Sequence, residues 1–172
     1  LALAALDIGP GDEVITVANS STYQVAAIMQ TGATPVLADI CPTTHTLDPQ
    51  ALVSVITPRT RAMVPVHLYG RLTDMPAMMS IAAQHGVAVV EDAAQAHGAW
   101  RPAADGTPRR AGAWGTCACF SFYPSKNLGA LGDGGAIVTD DAALAERLRR
   151  LRQYGWQQKY VAEEAGGRNS RL

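Results

Sequence analysis

The stretch Val87–Ala99, VAVVEDAAQAHGA, sets a short apolar run directly against a polar one. The segment Val87–Glu91 is apolar except for its last residue, which is typical of a strand that is covered on both faces of a sheet. The polar residues that follow lie where this strand ends, and open α/β sheets bind ligands beyond the carboxyl ends of their strands. The stretch therefore predicts a buried parallel strand followed by a candidate binding loop.

Strand-like and helix-like segments alternate on the N-terminal side of this stretch. Three segments have the composition of strands: Glu13–Val17, Pro35–Ile40 and Arg61–Val66. Three others have the pattern of helices: Val25–Gln30, Asp48–Ile56 and Met75–His85. Asp48 before a proline is typical of a helix start, and Gly32 and Gly86 of helix ends. Repeated β-α-β units predict an α/β fold of three layers, a mostly parallel sheet flanked by helices.

The pattern changes on the C-terminal side. Asp105–Gly106 predicts the turn of a hairpin. Strands near Cys117–Phe122 and over Gly135–Thr139 flank a glycine-rich loop, and Asp140–Arg152 has the leucine spacing of an amphipathic helix. After Arg152 the pattern predicts irregular structure. Since neither a linker nor an internal repeat interrupts the sequence, we expect one domain, or part of one.

The composition argues against several classes of protein. The 172 residues are 48% hydrophobic and carry a net charge of −1, whereas disordered chains are less apolar and more charged. The 14 basic and 15 acidic residues leave no excess to neutralise nucleic-acid phosphates. No apolar run reaches the ~18–20 residues that span a bilayer. Three cysteines without a C-x-x-C pair favour a reduced, cytoplasmic protein, and four scattered histidines lack metal-ligand spacing.

The loop after the apolar strand carries the first candidate site. Asp92 at a buried strand end is costly unless a cation or hydrogen-bond donor meets it. One interpretation is that Asp92 caps the next turn. The other is that its carboxylate is held against a protonated ligand nitrogen, with Gln95 and His97 facing the same pocket.

The second candidate site lies in residues 120–135, FSFYPSKNLGALGDGG. The chain has only two lysines, Lys126 and Lys159, against twelve arginines. The flanks of Lys126 are not those of a solvated surface, and the glycines after it allow the backbone to approach a ligand closely. A lysine shielded from water is suited to act as a Schiff-base nucleophile. Lys159 has polar neighbours and is predicted to be a surface charge. The glycine run precedes a strand, so it is neither a P-loop nor a dinucleotide fingerprint.

Taken in order, the motifs of this chain resemble one known family. They are GDEVITV, GATPVLADI, RTRAMVPVHLYG, VVEDAAQAHGA, FSFYPSKNLGALGDGGAIVT and GGRNSRL. The set is similar to the DegT/DnrJ/EryC1/StrS family of pyridoxal-phosphate-dependent aminotransferases. The resemblance implies the large domain of fold-type I transferases. It also implies transfer of an amino group from glutamate or glutamine to a nucleotide-linked keto-sugar, in deoxysugar, surface-polysaccharide or antibiotic biosynthesis.

The resemblance assigns roles to five residues. Lys126 matches the lysine that forms the Schiff base with pyridoxal 5′-phosphate and then moves the substrate proton. Asp92 matches the carboxylate that pairs with the pyridine nitrogen, and Gln95 the residue beside the ring hydroxyl. Ser121 matches a phosphate ligand. Tyr23 is the aromatic candidate for stacking on the cofactor ring.

The resemblance also implies parts that lie outside the chain. The family's Gly-Thr-rich phosphate turn would precede Leu1, and its smaller C-terminal domain would follow Leu172. Residues 1–172 are therefore expected to be part of a large pyridoxal-phosphate-binding domain, and to be poorly stable and inactive alone. The resemblance further implies that the full-length protein is a homodimer that completes its site across the interface.

Several alternatives stay open at this point. Dehydratases of the same family carry His where Lys126 stands, so the lysine argues against that activity. A non-catalytic regulator that binds the cofactor or a nucleotide-sugar is a second alternative. Without the resemblance, a nucleotide-binding α/β oxidoreductase remains. The sugar, its carbon and its nucleotide are not determined, although the closing stretch 151–172 favours the 3-amino-deoxysugar branch.

Overall fold

A six-stranded sheet forms the centre of the molecule, whose computed structural model describes residues 1–158 and 161–162. The described strands are β1 (Glu13–Val17), β2 (Thr34–Ala38), β3 (Thr60–Met63), β4 (Ala88–Asp92), β5 (Trp100–Pro102), β6 (Pro108–Arg110), β7 (Cys117–Ser121), β8 (Gly135–Val138), β9 (Trp156–Gln158) and β10 (Val161–Ala162). The sheet order is β2-β1-β3-β4-β7-β8, and only the β7–β8 pair is antiparallel. The predicted mostly parallel sheet is confirmed.

Helices connect the strands and cover both faces of the sheet. They are α1 (Ala2–Ala5), α2 (Tyr23–Gln30), α3 (Pro49–Val55), α4 (Met75–His85) and α5 (Ala142–Arg152). The side chain of Asp48 accepts a hydrogen bond from the Gln50 backbone N–H, which confirms the predicted N-cap of α3. Gly86 ends α4 in the left-handed conformation, as its position predicts. Among the residues that the structure describes, none of the helices has the length and apolar character of a membrane span.

Two apolar clusters on opposite faces of the sheet make up the core. Neighbouring strand residues alternate between them, because successive side chains point to opposite faces. Ile15 and Met63 pack with Leu52 of α3 and with the methionines of α4. Val14 and Ala62 belong to the other cluster, together with residues of α1, α2 and α5. The three-layer architecture expected from the sequence is therefore present.

Most boundaries differ from the sequence prediction by at most two residues, and two differences are larger. The strand predicted over Arg61–Val66 ends at Met63, because Pro65 has no N–H with which to continue the ladder. The Pro65 carbonyl nevertheless accepts from the Asp92 N–H, so the chain stays extended beside the end of β4. The prediction of irregular structure after Arg152 was wrong for two segments, β9 and β10, which form an antiparallel pair. Lys159 and the motif GGRNSRL lie outside the described residues.

Candidate active site

Asp92, the last residue of β4, has both carboxylate oxygens bound by protein donors. Oδ1 accepts from the Ala94 backbone N–H at 3.0 Å, which is the turn cap that the sequence suggested. Oδ2 accepts from the side-chain amide nitrogen of Gln24. The backbone N–H of His67 donates to the Asp92 carbonyl at 3.0 Å. The carboxylate is thus fixed in position at the carboxyl edge of the sheet.

Gln24 is a residue of this site that the sequence analysis missed. It is the second residue of α2, and its side chain is only 9% exposed. Its amide oxygen Oε1 has no hydrogen-bond partner within residues 1–158. Its position in the sequence could have indicated this role, because α2 begins beyond the carboxyl end of β1, where ligands of parallel sheets bind.

Glu91, next to Asp92, forms a fully buried hydrogen-bonded cluster with His67. The Glu91 Oε2 atom lies 2.9 Å from His67 Nε2. The Thr73 N–H donates to His67 Nδ1 at 3.3 Å, so Nε2 carries the proton and donates to Glu91. Backbone N–H groups of Gly112, Trp114 and Gly115 donate to the same carboxylate at 2.8–2.9 Å.

These donors decide the charge state of Glu91. Burial raises the pKa of its carboxyl, whereas the hydrogen bonds from His67, Gly115 and Gly112 lower it and outweigh the burial. The pKa of Glu91 therefore lies below its ordinary value. Glu91 is an ionised, internally satisfied group that anchors the start of the binding loop.

The second loop opens a cavity of about 760 Å³ beside Lys126. Its lining consists of residues 69–70, 95–99 and 125–127. Lys126 is half-buried, and its backbone N–H donates to the Tyr123 carbonyl at 2.8 Å. The structure therefore brings Lys126 together with Gln95 and His97. Asp92, which the sequence predicted to share a pocket with Gln95 and His97, is not part of this lining.

The orientation of the Gln95 amide is set by the backbone of Tyr69. The Tyr69 N–H donates to Gln95 Oε1 at 2.8 Å. Tyr69 reaches this position with a positive φ of 56°, a left-handed conformation that strains a bulky residue. Because the amide oxygen is occupied, Gln95 has its Nε2 donor to offer a ligand.

His97 joins the two loops through aromatic contacts. Its ring lies 5.3 Å from the ring of Phe120 and 5.8 Å from that of Phe122, between centroids. Both ring nitrogens are buried without a hydrogen-bond partner in the described part of the chain. The loop after β4 is thereby packed on the segment that leads to Lys126.

Ser121 and Tyr23 lie near these elements but outside the lining of the Lys126 cavity, as does Asp92. Ser121 ends β7, which pairs in parallel with β4, so it shares the carboxyl edge with Asp92. Its hydroxyl oxygen accepts from the Tyr123 N–H at 3.3 Å, which leaves the hydroxyl proton free to donate. The Tyr23 side chain at the start of α2 is 77% exposed.

The expectation of shielded flanks around Lys126 was wrong. Tyr123 and Leu128 are more than half exposed and Leu131 is fully exposed, because no described element packs over this loop. The glycines also allow the loop to pack closely against itself. A Cβ at Gly129 would lie 2.5 Å from the Pro124 carbonyl oxygen, so the close approach there is between two parts of the loop.

The donor set of the two loops is that of a site for an organic ligand. Across the described ranges, no group of three or more His, Cys, Asp or Glu side chains is placed to hold a metal ion. Lys126 and Gln95 instead place an amine and an amide donor in one cavity, and Asp92 adds a carboxylate at the end of β4, outside that lining. Such a set suits a planar ligand with a carbonyl carbon and a basic ring nitrogen.

Comparison with known proteins identifies the family. A model described as the DegT/DnrJ/EryC1/StrS aminotransferase family matches residues 1–172. The chain belongs to this family. It is 54% identical over 172 residues to a dTDP-3-amino-3,4,6-trideoxy-alpha-D-glucose transaminase from Streptomyces venezuelae, a match that covers all of this chain and 44% of that protein. The chain therefore spans less than half the length of this DegT/DnrJ/EryC1/StrS relative.

Solved structures of similar proteins share the fold. DesV from S. venezuelae, in complex with a ketimine intermediate, superposes with a TM-score of 0.87 at 54% identity, over 96% of this chain and 43% of DesV. NtdA from Bacillus subtilis, with bound cofactor PMP, gives a TM-score of 0.83 at 36% identity, over 95% of this chain and 35% of NtdA. The sheet and helices described above are thus those of aminotransferases of this family.

Proposed function

We propose that the protein carrying this chain is a pyridoxal-phosphate-dependent aminotransferase that transfers an amino group from glutamate or glutamine to a nucleotide-linked keto-sugar. The observation that carries the proposal is Lys126, a half-buried amine in one cavity with the oriented amide of Gln95. Within the described residues, no carboxylate lies within ion-pair distance of its Nζ. An amine that no carboxylate holds in an ion pair is available to react as a nucleophile and as a base.

The residues present fit the family's cofactor. When bound, pyridoxal phosphate supplies an aldehyde carbon for the amino group and a protonated ring that stabilises negative charge at the reacting carbon. The Asp92 carboxylate would hold the proton on the ring nitrogen. Gln95 Nε2 would donate to the ring hydroxyl oxygen, and the Ser121 hydroxyl to the phosphate. Tyr23 is the proposed aromatic contact for the ring face.

Lys126 has two roles in this proposal. Its Nζ would bind the cofactor through the aldehyde carbon, and, once released, would move the proton at the reacting carbon of the substrate. The half-buried position suits both roles, because Lys126 lines the cavity and is not fully exposed to solvent.

The sugar class follows from the family and from one relative. The S. venezuelae relative is named for a 3-amino-deoxysugar linked to dTDP. We therefore assign this chain a nucleotide-linked 3-keto-deoxysugar as the acceptor. Amino-deoxysugar biosynthesis, for an antibiotic or a surface polysaccharide, is the corresponding pathway class.

The proposal extends to the whole protein. Residues 1–172 would form part of the large cofactor-binding domain, completed by a phosphate turn and a smaller domain from elsewhere in the full-length chain. The exposed apolar side chains of Tyr69, Leu128 and Leu131 beside the cavity support a homodimer that covers this surface. A cytoplasmic location suits the three free thiols of the described chain.

Cofactor absorbance and amino transfer in the full-length protein test this function. We expect the protein to bind pyridoxal phosphate with the absorbance of a lysine-bound form, and Lys126→Ala to bind it without that absorbance. With an amino donor and a dTDP-linked 3-keto-sugar, only the unmodified protein should yield amino-sugar. Cofactor binding whose absorbance does not depend on Lys126 would contradict the proposal. Intact lysine-bound absorbance with no amino transfer to any keto-sugar would favour the regulator instead.

A further inference from the structure

The Asp92 carboxylate is held by two elements that are distant in sequence. Ala94, two residues on, binds Oδ1 through its backbone N–H at 3.0 Å. Gln24, which lies 68 positions earlier on α2, binds Oδ2 through its amide nitrogen. A carboxylate whose two oxygens are bound by separate donors cannot rotate without breaking one of the bonds. The contact with α2 therefore restricts rotation of the carboxylate in a way that the local turn cap alone does not.

The amide of Gln24 can take only one orientation here. Turning it over would set its oxygen against a carboxylate oxygen, and two acceptors repel each other. With the nitrogen on Asp92, the oxygen Oε1 is buried and has no partner in the described part of the chain. An unsatisfied buried acceptor destabilises the fold, and an apolar side chain of similar size would avoid it. The fold therefore gains little from a glutamine at this position.

We propose that Gln24 is a positioning residue that orients the Asp92 carboxylate toward the ring nitrogen of the cofactor. This inference rests on the proposed function. A carboxylate has about four acceptor positions, so Asp92 can accept from Gln24, from Ala94 and from a ligand N–H together. The buried amide oxygen of Gln24, which has no partner in the described part of the chain, is the kind of local departure from full hydrogen bonding that occurs at functional sites.

The first test removes the amide and leaves the helix unchanged. In the full-length protein, Gln24→Leu is compared with Gln30→Leu, the same substitution at an exposed position at the end of α2. Two quantities are measured: the dissociation constant of pyridoxal phosphate, and the ¹⁵N resonance of cofactor labelled at its ring nitrogen. We expect Gln24→Leu to weaken binding about tenfold, as for one hydrogen bond to a charged group, and to shift the resonance toward the unprotonated ring. Gln30→Leu should change neither.

The second test uses Gln24→Glu, which keeps the shape of the side chain. The introduced carboxyl group donates to Asp92 only while it is protonated, and it repels the Asp92 carboxylate once it ionises. Cofactor affinity in this variant should therefore fall as pH rises, in a step that is absent from the unmodified protein and from Gln24→Leu. If Gln24 served packing alone, any such step in affinity would not be accompanied by a shift of the ¹⁵N resonance of the cofactor ring.

The outcomes separate this inference from the proposed function. If the unmodified protein lacks Lys126-dependent absorbance, the proposed function fails together with the inference. If that absorbance is present but Gln24→Leu retains normal affinity and an unshifted resonance, the inference alone is overturned. Should Gln24→Leu fail to fold, the pH profile of Gln24→Glu decides, and a profile without the added step overturns the inference.

Discussion

The Glu91 carboxylate lies 2.9 Å from His67 Nε2, and both side chains are entirely buried. The same carboxylate collects three backbone N–H groups from residues 112–115. The pair therefore joins β4, the segment after β3 and the segment before β7 at the point where the candidate site begins. Because Asp92 follows directly, its backbone position depends on this cluster.

We expect Glu91→Gln to lower the free energy of unfolding by about 3 kcal/mol, since breaking a buried hydrogen-bonded pair leaves its partners unsatisfied. An amide in place of the carboxylate sets its own donor against backbone donors of residues 112–115. Urea unfolding of the full-length protein measures the change. Glu146→Gln is the control, because Glu146 pairs only with surface arginines, and it should cost less than about 0.5 kcal/mol. Equal losses of stability at Glu91 and Glu146 would contradict a stabilising role of the buried Glu91 cluster.

Stability should also fall in acid, with Glu91 contributing to the loss. The pKa of Glu91 is lower in the folded protein than in the unfolded chain. Its contribution is therefore fully present above the unfolded carboxyl pKa of about 4.3, and is lost as pH falls through the lower folded value. The urea midpoint of unfolding should fall as pH is lowered from neutral toward that region. It should fall less steeply in Glu91→Gln than in the unmodified protein. An unchanged slope in that variant would exclude Glu91 as a contributor.

The three cysteines should differ in their reaction with an alkylating agent. Hydrogen bonds from Thr43 and Thr44 lower the pKa of Cys41 to about 7. Burial raises the pKa of Cys117 to about 11 and that of Cys119 to about 12. Since the thiolate is the reactive form, iodoacetamide near neutral pH should modify Cys41 first. Mass spectrometry of the digested protein locates the label, and Cys41→Ser should remove the fast phase. Comparable rates at all three thiols would contradict this order.

Substitution of the two lysines provides a matched pair. Lys126→Arg retains the positive charge but removes the amine nucleophile, so amino transfer should fall by at least about a thousandfold. Lys159→Arg is the same change at the other lysine of the chain, which the sequence predicts to be a surface charge, and should leave the rate within about twofold. Turnover with an amino donor and a keto-sugar gives both values. A substantial residual rate in Lys126→Arg would remove Lys126 from the chemistry.

Two glycines of the Lys126 loop predict opposite outcomes for the same substitution. A Cβ at Gly129 would lie 2.5 Å from the Pro124 carbonyl oxygen, whereas a Cβ at Gly132 would meet nothing within 4 Å. Gly129→Ala should therefore displace the loop and lower the transfer rate, while Gly132→Ala should be tolerated. The melting temperature measured beside the rate separates a local shift from general unfolding. Similar rates for the two variants would show that the loop adapts.

The sequence predicted those features that depend on neighbouring residues. The six strands of the central sheet, its mostly parallel pairing and the helix caps at Asp48 and Gly86 follow from periodicity and local chemistry. The contact between Gln24 and Asp92 does not, since it joins residues 68 positions apart and depends on how α2 lies over the sheet. The exposed flanks of Lys126 were missed for a related reason. Apolar residues such as Leu131 predict burial, and the sequence does not say which surface will bury them.

The two halves of the candidate site differ in when they lose conformational freedom. The Asp92 half is held by buried hydrogen bonds, so its entropy is lost during folding itself. The side chains around Lys126, including Tyr123 and Leu128, keep their rotamer freedom until something covers them. A ligand or partner that covers these side chains must order them, so binding there has a larger entropic cost than binding at the Asp92 half. If two such molecules order the same loop, each will strengthen the binding of the other.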